Sequence, residues 1–275
     1  MIRRHRTSIL PLKFVVILVL VPFALCACSS KSPGNPASPN ATVARTADGK
    51  PDLTGIWEMK KDRPCPPGGC TDSQVVNQFF DIGAGVPGGL PYQPWAKELV
   101  KLRMEQNGKD DPASHCLPGG LVKLHTNPFR RKIIQSPGLL IILFERDATY
   151  RQIYTDGRPL PTEVDLPSFN GVSSGTWDGD TLVVQTVGFK QGETEKDGPW
   201  LDRNGSPLTG GAKITERFRR VDQGNLEVTL TVDDPKAYTA LWTIKLNQVL
   251  VTDSQDLIDY NCMENEKDAA HLAGK

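Results

Sequence analysis

Leu226, Val228, Leu230 and Val232 stand on one side of an extended segment, with Glu227, Thr229 and Thr231 on the other. This two-residue period constrains the fold more than any other feature of the chain, because it fits a strand with one buried face. The same rhythm recurs from Leu139 onward. Leu139 to Glu145 is an apolar run, Arg146-Asp147-Ala148 has turn composition, and Thr149 to Thr155 alternates. Val172 to Trp177 faces Thr181 to Val187 across Asp178-Gly179, a dipeptide suited to the positive φ of tight hairpin turns. Lys213 to Val221 returns as Leu226 to Val232 across Asp222 to Asn225, and Ala237 to Val251 and Asp256 to Tyr260 complete the series. With Gly55-Ile56-Trp57, the count is about nine strands. The expected class is mainly β: an antiparallel meander that closes into a barrel and so removes its own edges, with a two-sheet sandwich as the alternative.

Helix signals are confined to the first half. Pro94 suits a first helical position, Trp95, Leu99 and Leu102 recur at helical spacing, and Asn107-Gly108 supplies a stop, which predicts a helix from Pro94 to Gln106. Ser73 to Ile82 fits a shorter helix, although Val75-Val76 and Phe79-Phe80 also suit a strand. One or two short N-terminal helices are therefore expected.

The N-terminus has the build of a secretory signal. Arg3, Arg4, Arg6 and Lys13 precede an apolar run, Phe14 to Leu25, that is too short to span a bilayer. Leu25-Cys26-Ala27-Cys28 follows, and it resembles the lipobox of bacterial lipoproteins. That resemblance implies cleavage after residue 27, acylation of Cys28, and a place in the cell envelope, with Ser29 fitting passage to the outer membrane. Several acyl chains on one residue hold firmly, since each buried CH₂ adds roughly 0.8 kcal/mol. The expected organisation is a signal peptide over 1–27, a lipidated Ser/Pro/Ala/Asn-rich tether over 28–50 and one β domain over 51–275. The leader holds four of the 32 basic residues, which leaves 28 against 32 acidic ones and a formal charge of about −4. That balance speaks against a nucleic-acid partner, and the lipid is the only membrane contact expected.

Beyond Cys28, an oxidising compartment makes disulfides the first reading of Cys65, Cys70, Cys116 and Cys262. Cys65-Pro-Pro-Gly-Gly-Cys70 is a tight loop whose ends must meet, so Cys116 is expected to join Cys262. No zinc-like spacing accompanies these cysteines, and no metal or cofactor is expected. His115, His125 and His271 are widely separated and read as surface or hydrogen-bonded residues. No Walker-type Gly-x-x-x-x-Gly-Lys-Ser/Thr loop is present.

Asp52-Leu53-Thr54-Gly55-Ile56-Trp57 resembles the Gly-x-Trp opening of lipocalin-like (calycin) barrels, which implies that Trp57 plugs one end beneath a ligand cavity. A wider resemblance is to uncharacterised secreted proteins of soil bacteria. It rests on that stretch together with Leu90 to Ala96, Cys116-Leu117-Pro118, Arg151 to Arg158 (which contains Asp156-Gly157-Arg158), Trp177 to Val184, Thr215-Glu216-Arg217-Phe218 and Asp233-Asp234-Pro235. Those proteins carry histidine in the segments where this chain has Leu160, Val172 and Leu208, so the resemblance implies that no histidine-dependent chemistry operates here.

Among polar residues, Glu216 shares a face with Ile214 and Phe218, so it is expected inside the barrel with a raised pKa, as a candidate acid-base group. The alternative is a structural carboxylate paired with Arg217 or Arg219 at the wall. Trp57, Arg151, Tyr154, Arg217 and Trp242 are the candidate ligand-binding residues. Asp156/Arg158 reads as a turn brace, and Asp233-Asp234 as turn acids with calcium as a lesser alternative. Three readings follow. The first is a lipid-anchored barrel that holds a small, apolar or amphipathic molecule. The second is a cofactor-free isomerase, hydratase or hydrolase built on Glu216. The third is an envelope interaction protein with a filled core.

Overall fold

A computed structural model describes residues 42–60, 77–191 and 198–262. Nine strands close into a barrel in sequence order: β1 (Gly55–Met59), β2 (Arg131–Ser136), β3 (Leu139–Phe144), β4 (Thr149–Tyr154), β5 (Val172–Asp178), β6 (Thr181–Val187), β7 (Lys213–Arg220), β8 (Asn225–Asp233) and β9 (Trp242–Leu250). The closing contact is antiparallel, with Trp57 opposite Leu250. Closure rather than a sandwich is the outcome, as the uninterrupted alternation implies. Ile142, Ile153, Val184, Phe218, Val228 and Ile244 all point inward and are at most 2 % exposed, so side chains fill the interior.

Three local differences from the sequence reading have clear causes. Arg131–Ser136 is a strand that its charged start concealed; it pairs with β3 from Arg131↔Phe144 to Ser136↔Leu139. Asp256 to Tyr260 is not a strand, and only Tyr260 makes an isolated bridge, to Arg146. Finally, β9 begins at Trp242, because the backbone N–H groups of Ala237 and Tyr238 donate to the carbonyl of Asp234 in a turn.

The helices are α1 (Asn77–Phe80), α2 (Pro94–Glu105) and α3 (Leu121–Thr126). Pro94 opens α2 as expected. The Ser73–Ile82 stretch shows the short α1, and the start of that stretch lies outside the described residues. α3 was not foreseen. Leu121, Val122, Leu124 and His125 are all buried, and the helix lies beside the start of β2.

One junction breaks the antiparallel plan. β4 and β5 run parallel and match only at Ile153↔Ser173 and Tyr154↔Ser174. A parallel neighbour requires a crossover, here residues 155–171, in place of a tight turn. Inward-facing Gly175 lets the walls meet beside this seam, since a Cβ there would lie 3.2 Å from both Ile153 and Leu182.

Cys116 and Cys262 are joined by a disulfide, as expected. Cys28, Cys65 and Cys70 lie outside the described residues, as does the signal segment. The expected tether stops short of residue 50. Arg45 bridges Pro51, the Asp52 N–H donates to the Ala44 carbonyl (2.8 Å), and the Thr46 N–H donates to the Lys50 carbonyl (2.9 Å). These bonds fold residues 44–51 into a strap across the barrel's rim.

Candidate functional site

Alternation along four adjacent strands brings a polar cluster into the apolar interior. β4 turns Arg151 inward, β5 Ser173, β6 Thr186 and β7 Glu216, while α3 adds His125; all five are buried. The Arg151 Nη1–H donates to Glu216 Oε1 at 2.8 Å, and Nη2–H donates to Oε2. Arg151 also donates to Ser173 Oγ (3.0 and 3.1 Å) and Thr186 Oγ1 (2.8 Å). His125 Nε2 lies 2.7 Å from Glu216 Oε1. Such a fork-to-carboxylate pair is among the stronger hydrogen-bonded contacts a protein makes.

The electrostatics overturn one expectation. Burial by itself pushes Glu216 up, but the Arg151 guanidinium and the bond from His125 outweigh it, and the carboxyl is held at about 2. Burial lowers the His125 pKa, with Arg131 and Arg151 adding to the effect against the pull of Glu216. His125 is therefore neutral near pH 7 and donates its Nε2–H to the carboxylate. Its Nδ1 has no partner among the described residues. Glu216 is inward as its strand neighbours implied, yet it is a committed counter-ion rather than a poised base. Its partner is Arg151, not Arg217 or Arg219. Nor is His125 isolated. Four core residues around it in α3 (Leu121, Val122, Leu124 and Thr126) were the available signal.

The other predicted residues scatter. Trp57 is fully buried, donates Nε1–H to the Leu53 carbonyl at 3.0 Å, and stacks under Arg220, so it belongs to the core. Trp242 is buried edge-on to Tyr238. Arg217 points outward to Asp178 at 2.9 Å. Tyr154 lies on the outer face beneath the Arg158 guanidinium, 3.8 Å from its ring centroid. Asp156 and Arg158 do form the expected brace. Asp234 is buried and accepts from Thr209 N–H (2.8 Å) and Oγ1–H (2.7 Å), which commits it to the fold in place of calcium. Among the described residues, no group of three or more His, Cys, Asp or Glu side chains could hold a metal.

A scan against protein-family models finds no match, and neither does a search of the curated proteins.

Room for a ligand lies at the rims and seam, where the filled interior ends. A chamber of about 380 Å³ opens at the rim formed by the β2–β3 turn and the ends of β4, β5 and β6. Leu140, Leu182, Trp177 and Pro137 give it apolar walls, and Thr46, Ala47 and Asp48 of the strap form its roof. Arg45 fixes the strap through Asp180, at 2.7 and 2.9 Å, and Lys50 sits 5.9 Å over the Trp177 ring. Both partners of the Arg45–Asp180 pair are exposed, so the strap's charged hold on the barrel is weak. A larger, open cleft of about 650 Å³ lies over the β4–β5 seam.

Proposed function

We propose that the protein is a lipid-anchored envelope protein that holds one small, uncharged, largely apolar molecule beneath the strap at the barrel's rim. The observation that carries this reading is the strapped chamber: its volume falls within the range of small-molecule sites, and its walls are mainly hydrophobic. The anchor rests on the leader and on Cys28 in its lipobox-like setting. Asp48 in the roof is balanced by Lys50 over the Trp177 ring, so the chamber offers no net charge to draw an ion out of water, and Ser136 and Gln135 offer polar contacts at the margin. The ligand sits at the rim rather than along the barrel axis, because the axis is occupied by side chains. Proton-transfer chemistry on Glu216 loses its basis, since the carboxylate is sealed in the core and already paired with Arg151.

Two probes with one skeleton test the proposal: neutral N-phenyl-1-naphthylamine and its sulfonate, 1-anilinonaphthalene-8-sulfonate. The neutral probe should saturate at one per chain, draw energy transfer from Trp177, and bind at least about tenfold more tightly than the sulfonate. Ser136→Trp, at an exposed lining position, should fill the chamber and weaken binding by a similar factor. Equal affinity for both probes, or binding indifferent to Ser136→Trp, would overturn the reading. It would leave the filled barrel as an envelope protein that meets other macromolecules.

A further inference from the structure

We infer that the cleft over the β4–β5 seam is a second site, for a neutral saccharide. The strands match at only two positions, so above Ile153 and Ser173 they part and expose the cleft between them. Its lining combines an aromatic platform with amides and a hydroxyl. Tyr150 is 62 % exposed, while Gln152, Asn170 and Ser168 offer polar groups beside it. That pairing suits a sugar ring, whose C–H face lies against an aromatic surface while its hydroxyls need donors and acceptors at the edge.

Asn170 is the most telling member. Its Nδ2–H makes one long contact, 3.5 Å to the Tyr150 carbonyl, and its Oδ1 has no partner among the described residues. A buried amide oxygen without a partner is costly, so turning this amide toward a ligand hydroxyl sacrifices little and satisfies an open acceptor. Charge points the same way. Arg151, behind the cleft, is committed to Glu216, Ser173 and Thr186, and Lys190 lies 5.4 Å over the Phe169 ring. A neutral polyol asks neither cation to leave its place. An apolar ligand would leave the amides unmet.

The test follows backbone amide shifts of the intact protein on titration with cellobiose and with N,N′-diacetylchitobiose. At least one sugar should shift Tyr150, Gln152 and Asn170 saturably. Tyr150→Ala should weaken that binding about tenfold or more while leaving the melting temperature nearly unchanged, because the ring is largely exposed. Asn170→Ala should weaken it by at least about threefold. Ser136→Trp, which blocks the strapped chamber, should have no effect here, so the two sites stand or fall separately. The inference is overturned if neither sugar moves these amides, if Tyr150→Ala binds as well as the parent, or if N-phenyl-1-naphthylamine produces the same shifts.

Discussion

The wall from β6 to β9 and the seam between β4 and β5 are built from the same alternating pattern but held together differently. Across the wall, backbone pairing is nearly complete: β7 and β8 match over eight positions, from Lys213↔Asp233 to Arg220↔Leu226, and β8 and β9 do the same. At the seam only two positions match. The buried polar cluster lies where the backbone is weakest. Arg151 on β4 reaches Ser173 on β5, Thr186 on β6 and Glu216 on β7, so one guanidinium spans the seam and ties it to the wall. The comparison teaches that buried charge here replaces missing ladder bonds. The larger open cleft lies over this same seam.

The largest expected effect comes from cutting that tie. Glu216→Gln leaves Arg151 buried without its counter-charge and should cost about 3–5 kcal/mol in chemical denaturation. Hydrogen exchange should rise first at Ile153 and Tyr154 and last in β8. Uniform loss of protection, or a cost below about 1 kcal/mol, would break the account of the seam.

Acid should act on the same tie. Glu216 sits at about 2 against an ordinary 4.5, so its contribution is complete above pH 4.5 and disappears as the pH falls through 2. That contribution is on the order of 3 kcal/mol. His125 adds in the same direction. Its pKa is depressed in the fold, so the unfolded chain takes up a proton below about pH 6.5 before the folded one does. Stability should therefore begin to fall below pH 6.5 and drop more steeply below 4.5. In Glu216→Gln the steep lower limb should shrink, which a stability profile from pH 7 to 2 would show.

A smaller effect separates the two ends of β5. Gly171 at the seam has φ +65°, and a Cβ there would lie 2.6 Å from Thr186 Cγ2 and 2.7 Å from the Val187 carbonyl oxygen. Gly179 in the β5–β6 hairpin has φ +58° with nothing within 4 Å. Gly179→Ala should cost about 1 kcal/mol from backbone strain alone, and Gly171→Ala clearly more, about 2–3 kcal/mol. Equal melting temperatures for the two variants would show that the seam yields more easily than its packing implies.

Alternation was enough to place most of the strands and the inward face of Glu216, because a period of two is a local property of the backbone. The Cys116–Cys262 link was also legible, from a count of cysteines. The charged opening of β2 hid that strand, since Arg131 gains its place only by donating to carbonyls of residues 125–129. The chemistry of the interior was beyond reach for the same kind of reason. Whether Glu216 is a poised acid or a fixed counter-ion depends on Arg151, 65 residues away, and on His125, 91 residues away. The strap is a like case, for Arg45 meets Asp180 only once the barrel has closed. The sequence by itself determined a mainly β chain and the alternation along its strands. Only the tertiary structure decided which charges meet, because burial and pairing set a carboxylate's state and both are long-range consequences of closure.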